Sequence, residues 1–380
     1  MTGLLVGLGG MVLLVAVLWD AFETVILPRR ISRRFRLARF FYRVTWGPWR
    51  AAAPLLGPRR REAFLAVYGP LSLLMLLGLW AAGIVFAFGM LQWAAGSALS
   101  MVAGNPGFPS DLYMSGTTFF TLGLGDVVPR TTLAKLLTVV ESGTGFSFLA
   151  IVIGYLPVTY QAFSRREGPI SLLDARAGSP PTAGELLWRY RSDRDGERLG
   201  ELLREWERWA ADVLESHLSY PPLAYFRSQH SNQSWLAALT TILDASALVI
   251  VGHEGEHWCV KQAELTFAMA RHAMVDLAQV FNTPPQAPSA ERLTRDQLER
   301  LRARLAGGGL ELRGGSDFLD RLGELRSMYE PLAVALGDRF AVALPPWVQE
   351  TERPDNWQTS PWERPRTSAF LKARGDEEHF

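Results

Sequence analysis

The feature that most constrains this chain is a long uncharged stretch, because no charged residue occurs between Glu62 and Asp111. Such a run far exceeds the roughly 20 residues that cross the hydrocarbon core of a bilayer. Residues 1–19 are also uncharged. They lack a basic leader and a small-residue cleavage site, which favours a retained membrane helix over a signal peptide. We expect this first helix to extend to about Leu27 and to end at Pro28.

Two further apolar segments predict spanning helices at about residues 66–93 and 133–160. Arginine placement predicts their orientation, because basic loops stay in the cytoplasm. Residues 28–62 contain eleven arginines and one glutamate, residues 94–111 contain no lysine or arginine, and Arg165 and Arg166 follow the third apolar segment. We therefore expect a multi-pass protein of the cell membrane with its N-terminus outside and its C-terminal domain in the cytoplasm.

The arginine-rich segment alternates basic residues with Phe35, Leu37, Phe40, Phe41 and Trp46 at near-helical spacing. This pattern is typical of a helix that lies on an anionic leaflet of the lipid bilayer. A solvated basic loop is the alternative.

Two acidic residues, Asp20 and Glu23, share one face near the end of the first helix. We expect them to pair with Arg29, Arg30 or the cluster at 59–61, since a charge inside a membrane needs a partner.

Beyond Gly168 the composition becomes charged, with leucine and tryptophan at three- and four-residue spacing. Thr182 is a candidate N-cap with Glu185 three residues later. Neither an alternating strand pattern nor a glycine-rich nucleotide motif occurs, which predicts an all-helical domain. The single cysteine, Cys259, excludes an intrachain disulfide framework, and a net charge of +1 gives no indication of nucleic-acid binding.

The segment between the second and third spans holds two unusual features. "SDLYMSGTTFF", residues 110–120, predicts a helix too short to span, with Ser110 as its cap and Asp111 in its first turn. "TLGLGD" follows, residues 121–126. Irregular backbone at membrane depth is tolerated only where it is buried in protein or lines a water-filled cavity. Gly123 and Gly125 can adopt positive φ, so successive carbonyls can turn toward one axis and replace the hydration shell of an ion.

"TLGLGD" resembles the selectivity-filter signature of tetrameric potassium channels, TVGYG followed by aspartate. The match comprises Thr121, Gly123, Gly125 and Asp126, while Leu122 and Leu124 replace the usual valine and tyrosine. The resemblance covers residues of about 66–160 and implies a homotetramer that conducts potassium ions passively. It implies potassium sites formed by the carbonyls of residues 121–124, with the Thr121 hydroxyl adding the innermost site.

Other positions acquire expected roles from this resemblance. Gly145 falls where the inner helix of the family carries its hinge glycine, and a second bend is expected at Gly154 and Pro157. The alternative is that Gly143, Gly145 and Gly154 allow close helix packing.

Three polar residues are expected to support the filter: Thr117, Thr118 and Glu141. Thr117 occupies a position where some family members place a filter-bracing glutamate. We expect Glu141 to hydrogen-bond behind the filter, to Ser115, Thr117 or Thr118. A cavity-facing Glu141 that concentrates cations is the alternative.

Two patterns in the soluble part suggest other functions. "HEGEH", residues 253–257, fits the zinc motif in which His253 and His257 bind the metal and Glu254 activates water. It is also compatible with a regulatory metal or ligand site or with a polar helix end. A second group could bind a small anionic ligand or cap a helix: Tyr220, Arg227, His230 and Trp235.

These observations predict an all-α membrane protein with three transmembrane helices, a re-entrant pore helix and a selectivity filter, followed by an all-α cytosolic domain. The predicted parts are a first helix at 1–27, an arginine-rich segment at 28–62, a pore module at 63–164, a regulatory domain at 165–345 and a disordered tail at 346–380. We expect a non-enzymatic channel without an organic cofactor, whose partners are potassium ions, the lipid bilayer, its own copies and an unknown cytosolic ligand. The alternatives are a membrane-anchored metallopeptidase and a non-conducting receptor with a pore-like segment.

Overall fold

The protein is described here by a computed structural model that covers residues 2–27, 36–96, 99–101, 107–193, 196–230, 232–252, 258–349 and 355. It divides into two compact units, Met1–Gln161 and Ala162–Phe380.

The first unit is built from long apolar helices joined by short connections. Its elements, in chain order, are α1 (Thr2–Val25), α2 (Leu37–Ala52), a 3₁₀ turn (Ala53–Leu55), α3 (Pro58–Ala94), β1 (Leu99–Met101), α4 (Phe108–Phe119), β2 (Val127–Pro129) and the start of α5 (Thr132–Ala177). Three of these helices are long and apolar enough to cross a membrane, namely α1, α3 and α5. The all-α membrane fold predicted from the sequence is therefore confirmed.

Helices α1 and α3 pack closely because small residues line their contact. A Cβ at Gly10 would lie 3.0 Å from the Ala87 carbonyl oxygen, and one at Gly83 would lie 3.0 Å from Val17. Membrane helices commonly associate through such small residues, because lipid provides no hydrophobic driving force between them. Trp80 is buried in the same cluster.

Among the described residues, the two acidic residues at the end of α1 have partners that the sequence analysis did not name. Asp20 Oδ2 accepts hydrogen bonds from Trp80 Nε1 at 3.0 Å and from the Ala38 amide at 3.1 Å. Glu23 pairs with Arg36 at 3.8 Å. The first amides of a helix lack intrahelical partners, so Asp20 caps α2 from another helix. Arg29 and Arg30 lie outside the described residues.

The second unit is a helical domain. It contains the end of α5 and seven further helices among its described residues: α6 (Ala183–Arg189), α7 (Glu197–Ser219), α8 (Trp235–Gly252), α9 (Trp258–Val280), α10 (Arg295–Gly307), α11 (Ser316–Ser327) and α12 (Glu330–Phe340). Helix α8 is also apolar and long enough to span a membrane, but 94% of its residues are buried within the structure. It forms the centre of this domain.

Helix α5 is longer than the sequence indicated, since it continues past Tyr160 to Ala177. The reason lies in its second half, where Arg166 is only 3% exposed and belongs to the core of the second unit. Its guanidinium donates to the Leu223 carbonyl at 2.9 Å and to the Phe226 carbonyl at 2.8 Å. These bonds compensate for the loss of water around a buried charge.

The prediction of a disordered tail from residue 346 onward places the start of that tail too early. Trp347 is fully buried, and Asp355 pairs with Arg189 at 2.9 Å. The composition of this segment, rich in proline and charge, gives no sign that a large aromatic side chain is buried within it.

A buried histidine, His217, predicts a pH-dependent stability. Burial, and then the Arg166 guanidinium, lower the pKa of His217 to about 3. Its Nδ1 lies 2.7 Å from the Val213 carbonyl, and its Nε2 lies 3.2 Å from Arg166 Nη1. Nδ1 can thus donate while Nε2 accepts, as neutral imidazole requires.

In the unfolded chain the pKa of His217 is about 6.5, so the unfolded state takes up a proton there at a pH where the folded state does not. The free energy of unfolding therefore falls as the pH drops from about 6.5 toward 3. We expect this histidine to remove about 2 kcal/mol of stability between pH 7.5 and pH 5. Thermal unfolding of the full chain in detergent should show a smaller loss over this range in His217→Gln. His272→Gln, at an exposed histidine, should behave like the wild type. An unchanged pH dependence in His217→Gln would contradict the prediction.

Candidate ion-conduction site

The short helix α4 is a half-helix that ends where the glycine motif begins. It starts after Gly107, holds the buried Asp111 in its first turn and ends at Phe119. Twelve residues rise only about 18 Å, less than the roughly 30 Å of the hydrocarbon core. An acidic residue in the first turn is favoured by the helix dipole, whose negative end is at the carbonyl end of α4.

The backbone after α4 alternates in handedness. Thr121, Gly123 and Gly125 have φ of 58°, 57° and 78°, with Leu122 and Leu124 between them. Positive φ is strained for a residue with a side chain, so Thr121 carries a local cost that the glycines do not. Such alternation lets successive carbonyl oxygens face the same way.

The end of α4 holds this segment through backbone atoms. The Leu122 amide donates to the Thr117 carbonyl at 2.8 Å, and the Thr121 amide donates to the Thr118 carbonyl at 3.1 Å. The Thr117 hydroxyl donates to the Met114 carbonyl within its own helix at 2.9 Å. Thr117 and Thr118 thus contact residues 121 and 122 through their carbonyls.

Asp126, at the end of the motif, accepts a hydrogen bond from the Tyr113 hydroxyl at 2.9 Å. This links the segment after the glycines back to α4. Strand β2 follows and pairs antiparallel with β1, with Leu99 opposite Pro129. Sequence reasoning missed Tyr113, because thirteen residues separate the partners and the contact depends on the turn between them.

Glu141 lies on α5 and is fully buried. The Ser115 hydroxyl of α4 hydrogen-bonds to its carboxylate and also lies 2.7 Å from the Val85 carbonyl of α3. The Ser115 hydroxyl of α4 therefore contacts both α3 and α5. Of the three partners considered from the sequence, the structure places Ser115 beside Glu141. A supporting role for the filter stays a prediction.

Gly145 marks the closest approach of α5 to α4. A Cβ at this position would lie 2.2 Å from the Phe119 carbonyl oxygen. By contrast, open space surrounds Gly143 and Gly154. The packing alternative therefore has direct support at Gly145. Gly154 and Pro157 both lie within the continuous α5, and their hinge role stays a prediction.

The Ser115–Glu141 contact predicts a stability effect. Ser115→Ala leaves the buried Glu141 carboxyl without its hydroxyl partner, which should lower the free energy of unfolding by about 1–3 kcal/mol. Ser115→Ala/Glu141→Met removes both polar partners and should recover part of that loss.

Thermal unfolding of the full chain in detergent measures both values. Thr144→Ala is the matched control, since its exposed hydroxyl bonds only within α5, to the Val140 carbonyl. A double variant less stable than Ser115→Ala alone would contradict the prediction.

The other candidate sites have different outcomes. The zinc motif at 253–257 lies outside the described residues, and within the described ranges no cluster of three metal-ligating side chains occurs. Arg227 donates to the carbonyls of Phe340 and Ala341 at 2.9 and 2.8 Å. It therefore caps the C-terminal end of α12, as the helix-capping interpretation expects.

The half-helix, the alternating backbone and the following long helix all lie in one part of the chain, which is similar to a known family. Residues 73–161 match the ion channel family model. This ion-channel segment contains most of α3, all of α4, the glycine motif and the first part of α5. The match supports an ion channel within this part of the chain.

A longer similarity extends to a bacterial membrane protein. The chain is 22% identical over 207 residues to "Uncharacterized membrane protein YdjJ" of Bacillus subtilis (strain 168). The similarity covers 54% of this chain and 59% of the relative. No solved structure gives a match.

Proposed function

We propose that the protein is a potassium-selective channel, formed by four copies of the chain, whose filter is the backbone of residues 121–125. The observation that carries the proposal is the alternating handedness at Thr121, Gly123 and Gly125, directly after a half-helix. Conduction requires carbonyl oxygens that replace the hydration shell of an ion. In this proposal the carbonyls of Thr121 to Leu124 form the sites for the ions, and Asp126 marks the outer mouth.

The exposure of the filter segment supports assembly. Leu122 is 62% exposed and Leu124 is 64% exposed in the single chain. Exposed irregular backbone is not stable in hydrocarbon, because its amides and carbonyls lack water. Four copies around an axis would cover the leucines and leave the carbonyls facing a wet pore. Exposed apolar side chains on α5, such as Val139 and Phe146, then face other copies or lipid.

The topology in this proposal follows the arginine distribution. The end of α1, the arginine-rich segment and the second unit lie in the cytoplasm, and β1 and β2 lie outside. The second unit acts on the pore through the end of α5, with Gly154 and Pro157 absorbing a bend. A cytosolic ligand of the second unit would be the stimulus.

Potassium efflux from liposomes that hold the purified full chain tests conduction. We expect efflux that is blocked by barium and absent from liposomes without protein. Absence of efflux across a range of pH, lipid composition and membrane potential would favour the non-conducting receptor.

A further inference from the structure

The first unit contains a cavity of about 370 Å³ between α2 and α3. This volume lies at the lower end of the roughly 300–1,000 Å³ typical of small-molecule sites. Helix α2 contributes Val44, Pro48 and Ala52 to its lining, and α3 contributes Phe64, Leu71 and Met75. The lining of α3 extends over about 16 Å of helix, so the cavity is elongated along α3.

The polar side chains of the lining already have partners within the protein. The hydroxyls of Thr45 and Tyr68 lie 2.8 Å apart, and the Ser72 hydroxyl donates to the Gly69 carbonyl at 2.9 Å. Trp49 Nε1 donates to the Phe64 carbonyl at 3.1 Å. The cavity therefore presents a hydrocarbon surface, and an apolar occupant fits it better than a polar one.

Positive charge lies at one end of this lining. Arg60 precedes Phe64 by four residues and Arg61 precedes Tyr68 by seven, so both arginines lie on the cavity side of α3. Both side chains are exposed. The wider segment 28–62 carries eleven arginines against one glutamate. An occupant with an apolar body and an anionic end matches this distribution of charge.

We propose that the cavity binds an anionic phospholipid, with one acyl chain between α2 and α3 and the phosphate near Arg60 and Arg61. The fit combines burial of methylene groups with attraction of basic side chains to anionic headgroups. This site is separate from the filter and does not depend on ion conduction. A zwitterionic phospholipid has the same chains without the net charge, so it should compete less well.

Photo-crosslinking of the full chain in phosphatidylcholine vesicles tests this proposal. The probe is phosphatidylglycerol with a photoactivatable acyl chain, present as a minor component. We expect adducts on residues 44–52 and 64–75, mapped by mass spectrometry. Unlabelled phosphatidylglycerol should compete for these adducts at least about 10-fold better than added phosphatidylcholine.

Two pairs of variants separate the cavity from the charge. Ala52→Leu and Ala52→Trp should progressively reduce these adducts by filling the cavity, whereas Leu74→Trp should not, because Leu74 is 56% exposed and outside the lining. Arg60→Gln and Arg61→Gln should each weaken the preference for phosphatidylglycerol roughly five-fold. Arg43→Gln is the control, on the opposite side of α2 from Thr45.

Three results would overturn the proposal. Equal competition by the two lipids would remove the role of charge. Adducts that are absent from the lining, or that are unchanged in Ala52→Trp, would show that the cavity is not the site. Ala52→Leu keeps this test valid if the tryptophan variant does not fold.

Discussion

Replacing Gly145 with alanine is expected to abolish potassium efflux. The added Cβ would lie 2.2 Å from the Phe119 carbonyl oxygen, which is a backbone atom at the end of α4. Backbone cannot move aside as a flexible side chain can, so α4 and α5 must separate. The displacement would reach Thr121 within two residues. Overpacking of this kind costs about 1–3 kcal/mol, so the free energy of unfolding should fall as well.

Gly143→Ala is the matched control for this variant. Gly143 lies two residues earlier in α5 and has open space around it. Alanine is favoured over glycine inside helices by up to about 1 kcal/mol, so the control should be at least as stable as the wild type. Efflux from liposomes and thermal unfolding in detergent measure both variants. Wild-type efflux in Gly145→Ala would show that α4 and α5 are not this close in the working protein.

The second large effect is expected at Gly123, for a different physical reason. Gly123 has open space around it but a φ of 57°. An alanine would meet no neighbour within the chain, yet a left-handed backbone costs a residue with a Cβ about 1–2 kcal/mol. We expect Gly123→Ala to turn this peptide, remove a carbonyl from the ion path and reduce efflux to background.

Folding separates this variant from Gly145→Ala. Gly123→Ala should assemble and melt close to the wild type, because the change is confined to an exposed turn. Gly143→Ala is again the control, since Gly143 also has open space but no positive φ. Efflux and thermal unfolding, measured side by side, distinguish the two effects. Wild-type efflux in Gly123→Ala would mean that ions do not pass along residues 121–124.

The helices of the first unit were predictable, because a bilayer imposes a strong pattern on a sequence. Apolar runs located α1, α3 and the first part of α5, and a stretch of about ten residues located α4. The predicted cap at Ser110 was wrong, because α4 begins at Phe108 after Gly107. The contact between Ser115 and Glu141 was among the expected ones, since a buried acid needs a partner and few polar residues lie at that depth.

Contacts between distant residues were not predictable. The link from Tyr113 to Asp126 depends on the turn at residues 121–125, and the cap that Asp20 provides for α2 crosses a segment of seventeen residues. The extent of α5 was underestimated because Arg165 and Arg166 looked like the end of a span. Arg166 instead bonds to carbonyls that are about sixty residues further along the chain. Local periodicity carries no information on such partners.

Ion selectivity in a planar bilayer tests the central claim most directly. The full chain would be placed between potassium on one side and sodium on the other, and the potential at zero current would be measured. Conduction through carbonyls of residues 121–124 predicts a large zero-current potential with the potassium side negative, and loss of the current in Gly123→Ala. A potential near zero, from equal passage of both ions, or a current that persists in Gly123→Ala, would contradict the account.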